Sequence, residues 1–145
     1  MKKVRYFLFC VSILLFQSNV LSAQTPYEKY GKLQVIGRFL CESTGEPVQL
    51  KGMSAHGLQW YNDCVTSQTI AMLRDEWKCD VIRIPIYLGE GGYLSDSATY
   101  LKEVERIAVE CKKAGMYCII DWHILNPGDP LSDRYKGAPA LFSYF

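Results

Sequence analysis

Apolar segments at residues 49–54, 80–84 and 116–125 alternate with helix-forming stretches at a spacing of roughly 30 to 36 residues, which predicts an α/β protein with a parallel sheet. The last segment, Met116–Leu125 (M-Y-C-I-I-D-W-H-I-L), follows a lysine-rich helix end and a glycine. It deposits Asp121, Trp122 and His123 at its exit, where a (β/α)8 barrel keeps its polar groups. Neither Gly52-Met53-Ser54-Ala55-His56-Gly57 nor Gly89-Glu90-Gly91-Gly92 has the spacing of a dinucleotide or phosphate turn, which argues against a doubly wound sheet. The fold class is therefore α/β, a partial (β/α)8 TIM barrel: about the first three βα units preceded by an N-terminal β-hairpin. A whole barrel takes about 250 residues, so the chain reads as the truncated amino-terminal part of a longer domain.

Lys2, Lys3 and Arg5 precede an apolar block from Tyr6 to Phe16, then a polar break and the small-residue exit Leu21-Ser22-Ala23. This is the pattern of a secretory signal peptide over residues 1–23, and the block is too short for a membrane anchor, which needs about 20 apolar residues. Residues 24–145 are the domain that remains, secreted or periplasmic. In it, residues 24–30 read as a polar lead-in. Leu33–Val35, Phe39–Cys41 and Val48–Leu50 read as short strands, with a turn at Ser43–Pro47. The first buried strand spans Gln49–Ser54, and Ala55–Cys64 is a loop carrying His56, Gln59, Trp60 and Tyr61. Thr66 or Ser67 caps a helix with Ile70, Leu73 and Trp77 on one face. Asp80–Ile84 is the second strand, and Pro85, which has no N–H to donate, predicts that pairing ends there. Ser97–Ala114 is an amphipathic helix with Leu101, Val104, Ala108 and Cys111 on one stripe, stopped by Lys112, Lys113 and Gly115. Beyond the third strand come a turn-rich loop, Asn126–Lys136, and a helix start at Ala138–Phe145. An open three-stranded piece of this kind leaves an unpaired edge and half a core.

The whole sequence carries a net charge of +1, and removal of the leader leaves 13 basic and 15 acidic residues. A balance so near neutral argues against a nucleic-acid partner, and nothing after the leader suits a membrane. Five cysteines remain: Cys41, Cys64, Cys79, Cys111 and Cys118. The count is odd, and Cys111 and Cys118 fall on apolar faces, so buried thiols are expected, with one bridge from Cys64 left open. No spacing fits a zinc site, and neither a metal nor an organic cofactor is expected.

Side chains alternate along a strand, so Asp121 and His123 share a face with Tyr117 and Ile119, and Arg83 points to the same side from the neighbouring strand. Polar groups converging inside an apolar barrel must pair. Asp121 reads as the structural partner of Arg83 in a buried ion pair, while Arg83 and His123, nearer the exits, read as functional. His56, Trp60 and Tyr87 each lie in a loop just after a strand. Aromatic faces beside hydrogen-bonding groups suit the apolar C–H face and polar rim of a sugar, so a carbohydrate cleft is expected.

Three blocks in order, K-G-M-S-A-H-G-L-Q-W-Y (51–61), V-I-R-I-P-I-Y (81–87) with Gly91-Gly92-Tyr93, and G-M-Y-C-I-I-D-W-H-I-L (115–125), resemble the amino-terminal half of glycoside hydrolase family 5, cellulase type. The resemblance spans about Tyr30 to Phe145. It implies a secreted endo-β-1,4-glucanase acting on a β-glucan polysaccharide without a cofactor. By it, Arg83 matches the arginine near the nucleophile and His123 the histidine ending the third strand. His56, Trp60 and Tyr87 match sugar-contacting positions on the glycone side. It also implies a retaining mechanism by two glutamates, after the fourth and seventh strands, neither of which is in these residues. Mannan or xyloglucan specificity on the same scaffold and a carbohydrate-binding protein without hydrolysis are the alternatives.

Overall fold

A computed structural model describes residues 24–145; the leader assigned to residues 1–23 lies outside the described residues. The expected lead-in is a helical turn, α1 (Pro26–Tyr30). The Thr25 hydroxyl accepts from Glu28 N, and the Glu28 carboxylate accepts back from Thr25 N at 2.8 Å, a reciprocal cap that makes so short a helix tenable. The hairpin follows as β1 (Gln34–Ile36) and β2 (Phe39–Cys41), paired antiparallel with Val35 opposite Leu40. No strand forms at Val48–Leu50. After the turn only the single bridge between Cys41 and Pro47 remains, and Pro47 has no N–H with which to extend it. Tyr27 N donates to Gly115 O at 2.8 Å, Ser43 N to Tyr30 O at 2.9 Å, and the Tyr117 hydroxyl to Gly31 O at 2.5 Å. These bonds hold the lead-in and hairpin at the amino end of the sheet.

That sheet is β3 (Gly52–Ser54), β4 (Val81–Tyr87) and β5 (Tyr117–His123), all parallel, in the order β3-β4-β5. β3 is shorter than the expected 49–54. β4 does not stop at Pro85; its register with β5 runs on to Tyr87 opposite His123. The reason is the alternation of backbone groups. Arg83 O accepts from Ala55 N, so residues 83 and 85 turn their backbone toward β3, which has already ended at Ser54. Pro85 therefore lacks its N–H on the side where no strand needs it, while Ile84 and Ile86 bond β5.

Part of the expected loop 55–64 is helical, as α2 (Leu58–Tyr61) and a 3-10 turn at Asn62–Cys64. Helix α3 (Ser67–Asp75) begins at Thr66, whose hydroxyl accepts from Thr69 N at 3.1 Å. Trp77 lies beyond its end and is 59% exposed, so it does not share the buried face of Ile70 and Leu73. Helix α4 (Ser97–Ala114) has the expected bounds and ends on Gly115 in the left-handed region at φ +67°. Its buried stripe is Tyr100, Val104, Ile107 and Cys111, with Leu101 and Ala108 at its flanks, a small rotation from the expected one. A 3-10 turn at Asp133–Tyr135 precedes α5 (Ala138–Tyr144).

The helices cover one face of the sheet. Ile82, Ile84 and Ile86 of β4, with Cys118, Ile120 and Trp122 of β5, pack against Ile70, Leu73, Val104, Ile107 and Leu141. Ile84, Ile86 and Ile107 are fully buried, and such burial contributes about 2 to 3 kcal/mol per side chain. The other face carries Arg83, Pro85 and Tyr87 beside Ile119, Asp121 and His123, and it is open: Ile119 is 49% exposed. All five cysteines of the described chain are free, including Cys64, which is exposed.

Candidate functional site

The open face delivers its polar groups toward the carboxyl ends of the strands. In register, Arg83 sits beside Ser54 on one side and Ile119 on the other, while Asp121 is beside Pro85 and His123 beside Tyr87. Arg83 therefore starts two rungs below Asp121 and four below His123, and its long side chain runs up the sheet to reach them. Nη2 donates to Asp121 Oδ2 at 2.6 Å and lies 3.1 Å from His123 Nδ1; Nη1 donates to Ser54 Oγ at 2.9 Å. The ion pair expected between Arg83 and Asp121 is present, but it is not buried: the two side chains are 37% and 27% exposed.

Asp121 Oδ2 is also 2.9 Å from His123 Nδ1. Arginine only donates, and a protonated Nδ1 also donates, so both can be satisfied only by the shared carboxylate oxygen. Hydrogen-bond logic thus places a proton on Nδ1, donated to Asp121 Oδ2, and turns Nε2 away from the pair. One carboxylate in this way fixes both the guanidinium and the imidazole. Asp121 is thus the hinge of the group, and Ser54 its fourth member. Sequence reasoning gave Ser54 no role; the signal was its alternation with Gly52 on the strand face that meets Arg83.

Rings extend the group across the rim. Tyr87 lies 4.5 Å from His123 between ring centroids, Trp60 5.2 Å from Tyr87, and His56 5.3 Å from Trp60. His56 and Tyr87 are nearly parallel at 6.0 Å. All five residues singled out in the sequence, Arg83, His123, His56, Trp60 and Tyr87, therefore meet at one end of the sheet. Tyr61 joins them unforeseen, 5.3 Å from His56. The one-turn helix α2 places it there, by turning residues read as loop back toward β4.

Gly57 is needed at the centre of this cluster. A Cβ there would stand 2.9 Å from the Tyr87 ring and 2.6 Å from Gln59 Oε1, so only glycine lets the ring and the helix close together. Beyond Tyr87 and His123 a cleft of about 290 Å³ opens between the β4 and β5 exit loops, with Glu90, Asn126 and Arg134 on its walls. The β5 loop is held in shape from below: Trp122 Nε1 donates to Arg134 O at 3.0 Å, and Arg134 Nη1 to Asn126 O at 2.5 Å. Among the described residues no cluster of His, Cys, Asp or Glu is arranged to hold a metal ion. No described helix is long and apolar enough to cross a membrane.

Parallel strands linked by helices, with ionisable and aromatic groups gathered at the carboxyl rim, define the opening part of a (β/α)8-barrel protein. Known proteins narrow this further. Residues 41–143 match the family model described as cellulase (glycosyl hydrolase family 5), and the chain belongs to that family. It is 44% identical over 106 residues to endoglucanase E-5 of Thermobifida fusca, covering 73% of this chain and 23% of that protein. To an endoglucanase of Clostridium saccharobutylicum it is 41% identical over 139 residues, covering 93% of this chain and 31% of that protein. Among solved structures it resembles the catalytic domain of the Thermobifida fusca endoglucanase Cel5A at a TM-score of 0.70 and 44% identity, covering 74% of this chain and 35% of that domain. It resembles cellulase Cel5C_n at a TM-score of 0.76 and 37% identity, covering 84% of this chain and 40% of that one. A variant of the Thermobifida fusca domain was solved with cellotetraose. The chain thus spans about a quarter to a third of the curated relatives it matches.

Proposed function

We propose that this chain provides the first three βα units of a secreted endo-acting β-1,4-glucanase, exported by the leader at residues 1–23. The observation that carries the reading is the Arg83–Asp121–His123 network standing beside the His56–Trp60–Tyr87 rings on one rim. In this reading Trp60 and Tyr87 lie against the apolar faces of glucosyl units on the glycone side, and His56 and His123 Nε2 bond their hydroxyls. Arg83, fixed by Asp121, sets a positive charge where a carboxylate nucleophile must stay ionised and oriented. His123 and Arg83 are supporting groups and do not break the bond.

Retaining hydrolysis needs two carboxyl groups about 5 to 5.5 Å apart, one attacking the anomeric carbon and one protonating the leaving oxygen. We assign both to glutamates of further barrel units, so residues 24–145 alone are inactive. The test is expression of the complete reading frame that holds this chain, assayed for new reducing ends from carboxymethylcellulose or mixed-linkage glucan. Release is expected. Failure on both, with retained binding of cello-oligosaccharides, would replace this reading by that of a carbohydrate-binding protein; activity confined to mannan or xyloglucan would move the specificity.

A further inference from the structure

Three rings surround the imidazole of His56, and only two of them have a part in the cleft proposed above. Trp60 and Tyr87 stand 5.3 and 6.0 Å from it between centroids, the latter nearly parallel. Tyr61 meets it at 5.3 Å with the two planes 78° apart, a near-perpendicular contact of the kind aromatic pairs prefer. One turn of chain places that ring. Tyr61 N donates to Gly57 O at 3.2 Å, which closes α2, and Gly57 N donates to His56 Nδ1 at 2.8 Å. Gly57 therefore ties Tyr61 and His56 together from its two backbone groups.

The bond from Gly57 also fixes what the imidazole can offer. A backbone N–H only donates, so Nδ1 is the acceptor and carries no proton, and the proton of the ring lies on Nε2. With Nδ1 occupied, Nε2–H is the group left for a ligand, and it is a donor. Such a bond depends on direction and weakens steeply below about 120°. The bond to Gly57 is a single restraint about which the ring can still tilt, and the Tyr61 ring stands across that tilt. We propose that Tyr61 is a positioning residue: it holds His56 so that Nε2–H donates to an acceptor oxygen of the glucosyl unit lying against Trp60 and Tyr87. Tyr61 acts through His56 and touches no sugar itself. The sugar in this role rests on the glucanase reading, whereas the orientation of the imidazole does not. Because the bond forms with bound substrate and is kept through the reaction, losing it raises KM rather than lowering kcat.

The test uses the protein expressed from the complete reading frame. Tyr61→Leu removes the ring and keeps an apolar side chain; it should raise KM for cello-oligosaccharides about two- to tenfold, the range an aromatic pair supports, while kcat changes far less. Tyr61→Phe keeps the ring and should restore the parent KM. In the nitrogen-15-labelled protein, a long-range proton–nitrogen correlation spectrum should show His56 protonated at Nε2 and not at Nδ1, with the signals assigned by their loss in His56→Gln. The His56 ring signals should move in Tyr61→Leu and stay in place in Tyr61→Phe. An unchanged KM in Tyr61→Leu, a loss confined to kcat, a Tyr61→Phe variant as weak as Tyr61→Leu, or a proton on Nδ1 would each overturn the proposal. The spectra are read without substrate and on the parent itself, so they decide the orientation of His56 even if Tyr61→Leu does not fold. Should the complete protein hydrolyse no glucan, the glucanase reading fails by itself; calorimetric affinity for cello-oligosaccharides then replaces KM, and absence of any binding overturns the role given to Tyr61.

Discussion

Replacing Arg83 by alanine separates a supporting role in the site from a role in folding, because the two effects differ in size. Its guanidinium donates to Ser54 and Asp121 at 2.9 and 2.6 Å and lies 3.1 Å from His123 Nδ1, which the same Asp121 oxygen holds. Two unit charges about 4 Å apart at an effective dielectric of 20 attract by about 4 kcal/mol. The Arg83 and Asp121 side chains are 37% and 27% exposed, however, so solvent screens the pair and water replaces the lost bonds. The net stability at stake is about 1 kcal/mol or less. For catalysis the loss is larger, since both the charge and the alignment of His123 disappear. Removing one preorganised group of this kind costs on the order of 10² to 10³ in turnover. Arg83→Lys should fall between, because an ammonium keeps the charge but lacks the planar fork that reaches Ser54 and Asp121 together. The assay is kcat for reducing-end release by the complete barrel, with urea denaturation in parallel. Turnover of Arg83→Ala within about threefold of the parent, or a stability loss large enough to account for the whole decrease, would remove Arg83 from the supporting group.

Trp60→Ala should weaken binding of long cello-oligosaccharides about tenfold, or ~1.4 kcal/mol, with little change in turnover; calorimetric titration checks this, and unchanged affinity would place the indole outside the cleft. Gly57→Ala inserts a methyl 2.9 Å from the Tyr87 ring, and overpacking of this kind costs about 1 to 3 kcal/mol; weaker ligand binding is expected, and a crystal structure with Tyr87 unmoved would contradict it. Gly115→Ala combines a positive φ of +67° with a Cβ 2.5 Å from the Thr25 hydroxyl, so α1 should detach from the sheet, measurable as faster amide exchange at Tyr27. Ile107→Ala, at a fully buried site, should cost about 2 to 5 kcal/mol in denaturant titration, whereas a loss below 1 would mean that α4 does not pack as described.

Much of this was legible in the order of residues. Periodicity placed α4 with its true bounds, since a long amphipathic stripe followed by two lysines and a glycine carries its own stop; the structure adds the Asp96 cap at its start. Alternation put Arg83, Asp121 and His123 on one face, because side-chain direction in a strand is local geometry. Position just after the strands brought His56, Trp60 and Tyr87 into one group, and the likeness of three ordered blocks matched that group to sugar-contacting positions. Local rules also set the errors. Trp77 obeys helical spacing, but the helix ended two residues before it. Pro85 obeys the rule against proline in a ladder, but β3 is too short to need its missing N–H.

What the sequence by itself determined was the alternation of strand and helix, the cap residues and the face of each strand, all set by interactions within a few residues. The tertiary structure alone decided the contacts that need a register between distant segments. It put Ser54 beneath Arg83, made one Asp121 oxygen serve both arginine and histidine, and left the Arg83–Asp121 pair open to water where the sequence suggested burial. Such contacts depend on where strands 29 to 40 residues apart come to rest, and no short-range preference encodes that distance.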